Sequence, residues 1–253
     1  MKIGNALRIV KMMKNPHEYF LAHFGRMDIK DIELRNGMKI KGDNIGELYS
    51  IFSAPYEYDT SMLRDPSVIV DMGACIGGFT LFVANKFKEA KVYAYEPNPK
   101  SFKSLCQNID VNKLNSRVIL SDKAIAGDEG EVALSMTNGL GSSILGDMFG
   151  VSTGWKEVPS TTLSKVIEEL GNIDYLKMDI EGAEYEVLLN TPKILLDKVR
   201  VLAIEYHPIE GRSYKELIKY LSDRINLNHI HKPDGFGIYI CSTHLKQHKH
   251  FFD

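Results

Sequence analysis

Short apolar runs alternate with longer amphipathic segments through most of this chain. From Ser67 onward, the runs Val68–Val70 and Val92–Tyr95 are each followed by a segment whose apolar residues recur at helical spacing. Similar runs lie at Val118–Leu120, Tyr175–Met178 and Val199–Ile204. Buried strands that alternate with helices are typical of a parallel sheet with crossover connections. The pattern therefore predicts an α/β fold.

The last two apolar segments are joined differently. Asn226–Ile230 and Gly237–Cys241 are separated only by a short turn around Pro233–Gly235. A parallel crossover needs about a dozen residues or more, so these two segments must pair antiparallel. The sequence predicts a seven-stranded, mostly parallel sheet whose last strand is antiparallel.

The residues before this body form a separate leader. Ile3, Leu7, Val10 and Met13 recur at helical spacing among lysines and arginines, which predicts an amphipathic helix over Lys2–Lys14. Such a helix either lies on a membrane surface or covers the core edge or a second subunit.

A β-hairpin is predicted further along the leader. Between Ile32 and Ile40, apolar and polar residues alternate around Asn36-Gly37, a pair that favours the positive φ angles of a two-residue turn. We therefore divide the chain into an extension, residues 1–66, and a main domain, residues 67–253.

Composition narrows the class of protein. With 253 residues, 44% hydrophobic and 25% charged, the chain can bury a full core. A net charge of −2 argues against binding long nucleic acid by phosphate neutralisation, so we expect no DNA partner and do not favour RNA. The three cysteines, Cys75, Cys106 and Cys241, match no zinc pattern, and no run is long enough to cross a membrane. These features predict a cytoplasmic protein with free thiols.

A Gly-rich turn follows the first strand of the body. In the segment Val70–Gly78, the strand runs directly into a turn containing Gly73 and Gly77 and then into a helix. Glycines let backbone N–H groups approach a ligand, and a helix N-terminus favours negative charge. Glu96 ends the second strand, 19 residues past Gly77, where its carboxylate can accept hydrogen bonds from ribose hydroxyls. Together these features predict a nucleoside-containing cofactor.

Cys75 helps to choose between two cofactors. A dinucleotide fingerprint starting at Gly73 would place Cys75 where a glycine must approach the pyrophosphate. S-adenosylmethionine has no diphosphate, and Asp71 can hold its amino group directly or through water. We therefore favour S-adenosylmethionine, with an NAD-dependent oxidoreductase as the alternative.

Acidic residues and a histidine follow the fourth and fifth strands. Asp179, Glu181 and Glu184 come directly after Tyr175–Met178, with Glu181 and Glu184 spaced to share a helical face. Glu205 and His207 end the next strand. Because the carboxyl ends of parallel strands meet at one edge of the sheet, these groups should lie close together. His207 is the candidate general base, with Glu205 or Asp179 orienting its second ring nitrogen.

Two further interpretations concern the group of acids around His207, where a substrate would bind. Asp179, Glu181, Glu205 and His207 are suited to Mg²⁺ or Mn²⁺, but carboxylates alone can orient hydroxyls, so we assign no metal ligand. The Gly- and Ser-rich stretch Gly139–Gly154 is either a lid over the substrate that would accept the transferred group or a surface insertion.

Five motifs in order resemble the FkbM-type S-adenosylmethionine-dependent methyltransferases. They are Asp71-Met-Gly-Ala-Cys-Ile-Gly-Gly-Phe-Thr80, Tyr95-Glu-Pro-Asn-Pro99, Thr161-Thr-Leu163, Lys177-Met-Asp-Ile-Glu-Gly-Ala-Glu184 and Glu205-Tyr-His207. The resemblance implies a Rossmann-like class I methyltransferase fold and O-methylation of a hydroxyl on a small molecule, sugar or glycan, with an RNA methyltransferase as an alternative. The family usually has Asn where this chain has Cys75, and Asp where it has Ser164.

The resemblance also extends the set of cofactor contacts. It implies that the loop Asp122–Ile125 borders the adenine, with Asp122 bonding the exocyclic amine. The predicted cofactor residues are then Asp71, Gly73, Ala74, Cys75, Gly77, Phe79, Thr80, Glu96, Pro97, Asn98, Asp122, Lys123, Ala124 and Asp179. The predicted catalytic residues are His207, Asp179, Glu205 and Glu181.

Overall fold

The computed structural model describes residues 3–28, 30–42, 48, 58–137, 141–146, 152–222, 226–231 and 237–242. Among these residues the helices are α1 (Ile3–Met12), α2 (Pro16–His23), α3 (Gly78–Lys86), α4 (Pro99–Val111), α5 (Leu163–Leu170), α6 (Glu184–Asn190), α7 (Lys193–Leu196) and α8 (Tyr214–Leu221). The strands are β1 (Asp31–Glu33), β2 (Lys39–Lys41), β3 (Val68–Met72), β4 (Lys91–Tyr95), β5 (Val118–Ser121), β6 (Ala124–Ile125), β7 (Gly130–Met136), β8 (Gly154–Thr161), β9 (Tyr175–Met178), β10 (Val201–Tyr206), β11 (Asn226–His231) and β12 (Gly237–Ser242).

A seven-stranded sheet forms the centre of the main domain, in the order β11-β12-β10-β9-β3-β4-β5. Neighbouring strands pair in parallel except at β12, which is antiparallel to both β10 and β11. The predicted mostly parallel sheet with an antiparallel last strand is confirmed. The strand order reverses between β3 and β9, and ligands of open α/β sheets bind at the strand ends beside such a reversal.

Both faces of this sheet are covered. Adjacent residues of β3 point to opposite sides, so that Ile69 joins one buried cluster and Val70 the other. All four residues of β9 are buried, as expected for a central parallel strand with helices on both faces. This rigid layer holds the strand ends that carry the candidate site.

The extension packs against the main domain. Asn108 on α4 donates to the carbonyl of Lys41 at 2.8 Å and accepts from its N–H at 2.7 Å. Ile40 of β2 belongs to the same buried cluster as Ile69. The extension therefore shares a hydrophobic core with one face of the central sheet.

The predicted hairpin is confirmed, but its turn is longer than two residues. Ile32 pairs with Ile40, and the N–H of Leu34 donates to Met38 across the loop. Gly37 has a φ of 85°, whereas Asn36 keeps a negative φ and accepts from the N–H of Met38 through its side chain. The prediction of positive φ at both turn residues was wrong, because a longer loop needs that geometry only at its glycine.

The predicted helix in the leader is present as α1, with a different buried side. Ile9 and Met13 are fully buried, whereas Leu7 and Val10 are exposed. The core therefore meets the side of α1 that carries Ile9, and the Leu7–Val10 side remains at the surface. Among all helices that the structure describes, none has the length and apolarity of a membrane span.

A second, three-stranded sheet was not predicted from the sequence. Its order is β6-β8-β7, with β7 and β8 antiparallel. Pro159 interrupts the strand pattern of β8, and prolines weaken such a prediction. Of the Gly139–Gly154 stretch between β7 and β8, residues 139–140 and 147–151 lie outside the described part of the chain.

Candidate active site

A cleft opens beyond the carboxyl ends of β3, β4 and β9. It brings together these residues from the predicted site: Gly73, Cys75, Glu96, Pro97, Lys123, Ala124, Asp179 and Glu181. Its walls also contain Ile125, from the loop expected to border the adenine, and Gly141, Ser142 and Ile144, from the candidate lid. Four further wall residues were not expected from the sequence: Tyr95, Ser101, Leu134 and Ile180. The cleft thus joins the Gly-rich turn to the acidic strand end.

Gly73 lies where two chain segments almost touch. Its φ is 80°, and a Cβ at this position would collide with the backbone carbonyl of Asp179. The N–H groups of Gly73 and Ala74 both donate to the carbonyl of Tyr95, at 3.0 and 2.9 Å. These two N–H groups join the turn to β4, and Gly73 is needed for close packing. The roles of Gly73 and Ala74 as cofactor contacts stay predictions.

Glu96 forms the floor of the cleft. Its two carboxylate oxygens accept from the N–H groups of Cys75 and Asn98, at 2.7 and 2.8 Å. Burial raises the pKa of Glu96 to about 7, although the two backbone hydrogen bonds oppose that rise. Each oxygen has a second lone pair, so the anchored carboxylate can still accept hydrogen bonds from a ligand in the cleft.

Asp71 is held away from the cleft by a buried lysine. The side chain of Lys177 is paired with Asp71 at 3.2 Å and with Asp179 at 3.4 Å, and it donates to the carbonyl of Gly73 at 2.7 Å. Thr80 donates to Asp71 at 2.6 Å. Burial lowers the pKa of Lys177, but the two carboxylates outweigh it and raise the pKa above its usual value. Asp71, Thr80 and Lys177 therefore form a buried network that supports the Gly-rich turn and does not line the cleft.

The remaining predicted cofactor residues do not line the described cleft. Asn98 is buried and caps α4, its Oδ1 accepting from the N–H of Lys100 at 2.9 Å. Phe79 packs between the rings of Tyr58 and Tyr175. Ala74 is buried, Gly77 caps α3 with a φ of 102°, and Asp122 is exposed. Their roles as cofactor contacts stay predictions.

Residues 141–146 form part of the cleft wall. Ser142 accepts a hydrogen bond of 2.8 Å from the side chain of Asn98. Ser143 donates to the backbone carbonyl of Glu181 at 2.6 Å. The described part of the Gly- and Ser-rich stretch is thus attached to both halves of the site.

His207 lies in a network of carboxylates. Its Nδ1 is 3.0 Å from Glu184, its Nε2 is 3.1 Å from Glu181, and Asp179 is 3.9 Å from Nε2. Burial opposes the charge of His207, but the hydrogen bonds of Glu181 and Glu184 raise its pKa to about 11. The sequence analysis expected Glu205 or Asp179 to orient the ring, but Glu184 holds Nδ1.

Glu184 also shapes the turn that carries Glu181. Its Oε1 accepts from the N–H groups of Ile180 and Gly182, at 3.0 and 3.2 Å. Glu181 lies before α6 with a φ of 53°, an uncommon value for a residue with a side chain. The prediction that Glu181 and Glu184 share a helical face was therefore wrong, because the helix begins only at Glu184.

Tyr58, from the extension, lies between the carboxylates of Asp179 and Glu205. Its hydroxyl is 3.1 Å from Oδ2 of Asp179 and 3.0 Å from Oε2 of Glu205. The ammonium of Lys177 lies 5.4 Å from the centre of the tyrosine ring. A phenol has one proton to donate, so Tyr58 hydrogen-bonds to one of the two carboxylates at a time. No periodicity or motif around Tyr58 indicates this role in the sequence.

Comparison with known proteins identifies relatives of this chain. The family model for the methyltransferase FkbM domain matches residues 71–227. The chain is 27% identical over 190 residues to methyltransferase sdnD of Sordaria araneosa, covering 62% of this chain and 73% of that protein. It is 26% identical over 219 residues to 31-O-demethyl-FK506 methyltransferase FkbM of Streptomyces tacrolimicus, covering 72% and 84%.

A third relative has a sugar acid in its name. The chain is 27% identical over 163 residues to the hexuronic acid methyltransferase AglP of Haloferax volcanii, covering 63% of each protein. The share of the relative that is matched thus varies from 63% to 84% among these three proteins. The matched family region contains the Gly-rich turn, Glu96 and the acids Asp179, Glu181 and Glu205.

Proposed function

This chain belongs to the FkbM family of S-adenosylmethionine-dependent methyltransferases, and we propose that it methylates a hydroxyl group on a sugar, glycan or related natural product. One observation carries the proposal. A single cleft has the anchored carboxylate of Glu96 at one end and the rim of Asp179 and Glu181 at the other. A nucleoside bound to Glu96 would then lie beside groups that can bind and deprotonate an alcohol, which supports the proposal.

The cleft has the chemistry that the cofactor needs. Glu96 would accept hydrogen bonds from the two ribose hydroxyls through its remaining lone pairs. Ala124, Ile125 and Leu134 supply an apolar wall for the adenine ring. Gly73 and Cys75, which line the same cleft, would border the methionine portion. When bound, S-adenosylmethionine supplies an electrophilic methyl group.

His207 is the proposed general base for the acceptor hydroxyl. Glu184 fixes its Nδ1, so that Nε2 faces Glu181 and Asp179. Accepting the hydroxyl proton creates an imidazolium ion, which the surrounding carboxylates stabilise as its charge develops. Asp179 and Glu205, which share the hydrogen bond of Tyr58, would orient hydroxyls of the acceptor.

The acceptor class follows from the site and from the relatives. Carboxylates that face a cleft are suited to hold the hydroxyls of polyols by accepting their hydrogen bonds. The names of two relatives specify 31-O-demethyl-FK506 and a hexuronic acid. A hydroxylated small molecule or glycan is therefore favoured over RNA.

Radiolabelled methyl transfer tests this proposal directly. The protein is incubated with a cell extract and S-adenosylmethionine carrying a labelled methyl group, and the glycan, lipid, RNA, protein and small-molecule pools are separated. We expect label in glycans or hydroxylated small molecules, as ether linkages that survive mild alkali. Label found in RNA instead would replace the proposed acceptor class, and label in no pool would contradict the activity.

Cofactor affinity should depend on pH through Glu96. Its pKa of about 7 means that the charged, hydrogen-bond-accepting carboxylate forms only as the pH rises through neutrality. If only the charged form binds ribose, the Kd of S-adenosylhomocysteine should fall about tenfold between about pH 6 and pH 8. Isothermal titration calorimetry measures this change. Glu96→Gln should bind more weakly at every pH, and a similar slope in that variant would exclude Glu96 as its source.

A further inference from the structure

We propose that Asp179, Glu181 and His207 form a binding site for a divalent transition-metal cation, of which Mn²⁺ is the best-suited example. One ligand atom from each of the three side chains lies within 4.8 Å of the other two. Nε2 of His207 is 3.1 Å from Oε2 of Glu181 and 3.9 Å from Oδ1 of Asp179. With metal–ligand bonds of about 2.1 Å, neighbouring ligand atoms are separated by about 3.0–3.4 Å. The three atoms therefore need only small side-chain rotations to surround one ion.

The histidine is already oriented as a metal ligand. Metal-binding histidines typically donate their second ring N–H to a carboxylate, which fixes the tautomer and the ring plane. Here Nδ1 of His207 is 3.0 Å from Oε1 of Glu184, a fully buried side chain. Glu184 is itself fixed by the N–H groups of Ile180 and Gly182. This arrangement leaves Nε2 directed at the two carboxylates.

The charge around the three ligands also favours a cation. The connected network contains five carboxylates and two basic side chains: Asp71, Asp179, Glu181, Glu184, Glu205, Lys177 and His207. In addition, Oε2 of the buried Glu184 has no hydrogen-bond partner among the described residues. Buried carboxylates are costly unless their charge is compensated. Because His207 must be neutral to bind an ion, the five carboxylates then exceed Lys177 by four charges, and a divalent ion would offset half of that excess.

The ligand types decide which ion fits. Mg²⁺ and Ca²⁺ prefer oxygen ligands alone, whereas an imidazole nitrogen with two carboxylate oxygens suits transition metals such as Mn²⁺. Asp179 and Glu181 both line the cleft, with side chains 25% and 22% exposed, so an ion can enter from that side. Its other coordination positions would face the cleft. If the proposed function holds, an ion bound to Nε2 would take over from His207 as the group that activates the acceptor, since a coordinated nitrogen accepts no proton. It would bind neighbouring oxygens of a hydroxylated acceptor and lower the pKa of the attacking one.

Direct binding measurements on the full chain test this site. The protein is treated with a chelator, dialysed and titrated with Mn²⁺ alone, without cofactor or acceptor, while electron paramagnetic resonance measures free Mn²⁺. We expect one saturable site per chain. Glu181→Gln should lose the site, and Glu184→Gln should weaken it by about 10–100-fold because the histidine loses its orienting carboxylate.

A nearby acid provides the matched control. Glu186→Gln makes the same change two residues along α6 and should keep the wild-type affinity for Mn²⁺. Circular dichroism of each variant establishes that it is folded, and the partly exposed Glu181 is the ligand whose replacement disturbs the core least. Absence of saturable binding to the folded wild type, or equal affinity in Glu181→Gln, would overturn the site. Because no methyl transfer is measured, failure of the proposed function does not affect this result.

Discussion

Replacing His207 with glutamine should reduce kcat by about 10²–10⁴-fold, the usual contribution of a general base. Glutamine keeps polar contacts with Glu181 and Glu184 but cannot accept the proton of the acceptor hydroxyl. Because His207 is not among the residues that line the proposed nucleoside cleft, the Kd of S-adenosylhomocysteine should change little. Steady-state kinetics and calorimetry on the same variant separate the two effects.

The pH dependence gives this prediction a second measurement. The neighbouring carboxylates raise the pKa of His207 to about 11, so the unprotonated base is a minor species at neutral pH. Below its pKa, the unprotonated species increases about tenfold for each unit that the pH rises. In chelator-treated wild type, kcat/KM should therefore rise steadily from neutral to alkaline pH. His207→Gln should lose this rise.

A distant histidine serves as the control. His17→Gln, on α2, should leave both kcat and its pH dependence unchanged. If His207→Gln retained wild-type turnover and the same alkaline rise, His207 would have no part in proton transfer. A loss of nucleoside binding equal to the loss of kcat would instead indicate that the substitution disturbs the whole cleft.

Replacing Lys177 with methionine should lower the free energy of unfolding by about 3–5 kcal/mol, the cost of breaking a buried ion pair from one side. Lys177 is 4% exposed and Asp71 is fully buried, so the variant leaves a carboxylate charge in the core without its cation. Methionine keeps a similar volume, which limits the contribution of packing. Urea denaturation should show a lower midpoint with an unchanged slope.

A second substitution should restore part of this loss. Asp71→Asn in the Lys177→Met background removes the uncompensated charge and should recover stability, giving a clear coupling between the two positions. Lys165→Met, at an exposed position of α5, is the matched control and should change stability little. If Lys177→Met were as stable as the wild type, the ion pair would contribute nothing to the fold.

Local features of the sequence indicated the Gly-rich turn, Glu96 and the acids that follow β9. The strand, the Gly-rich turn and the start of α3 follow one another within the segment Val68–Lys86, and Glu96 ends the next strand. Strand ends of a parallel sheet meet at one edge, so the convergence of Glu96, Asp179 and Glu181 could be predicted without coordinates. The structure brings these three side chains to one cleft.

Other features depended on contacts that have no local signal. Tyr58 reaches Asp179 and Glu205 across 121 and 147 residues of sequence. The sequence analysis treated the residues around Tyr58 as part of a leader, because nothing in their spacing distinguishes a site residue from a linker. The serines at 142 and 143 were likewise assigned to a lid or an insertion, whereas they contact Asn98 and Glu181.

By itself, the sequence determined where the strands of the central sheet lie along the chain, the position of the glycine turn and the acids that follow β9 and β10. Hydrophobic periodicity and connection length are local properties and can be read without coordinates. Only the tertiary structure decided that Glu184 orients His207, that Lys177 neutralises Asp71 from behind the turn, and that the extension supplies Tyr58. These partners are chosen by side-chain directions and by the return of distant segments to one place. Neither of these is encoded in the spacing of residues along the chain.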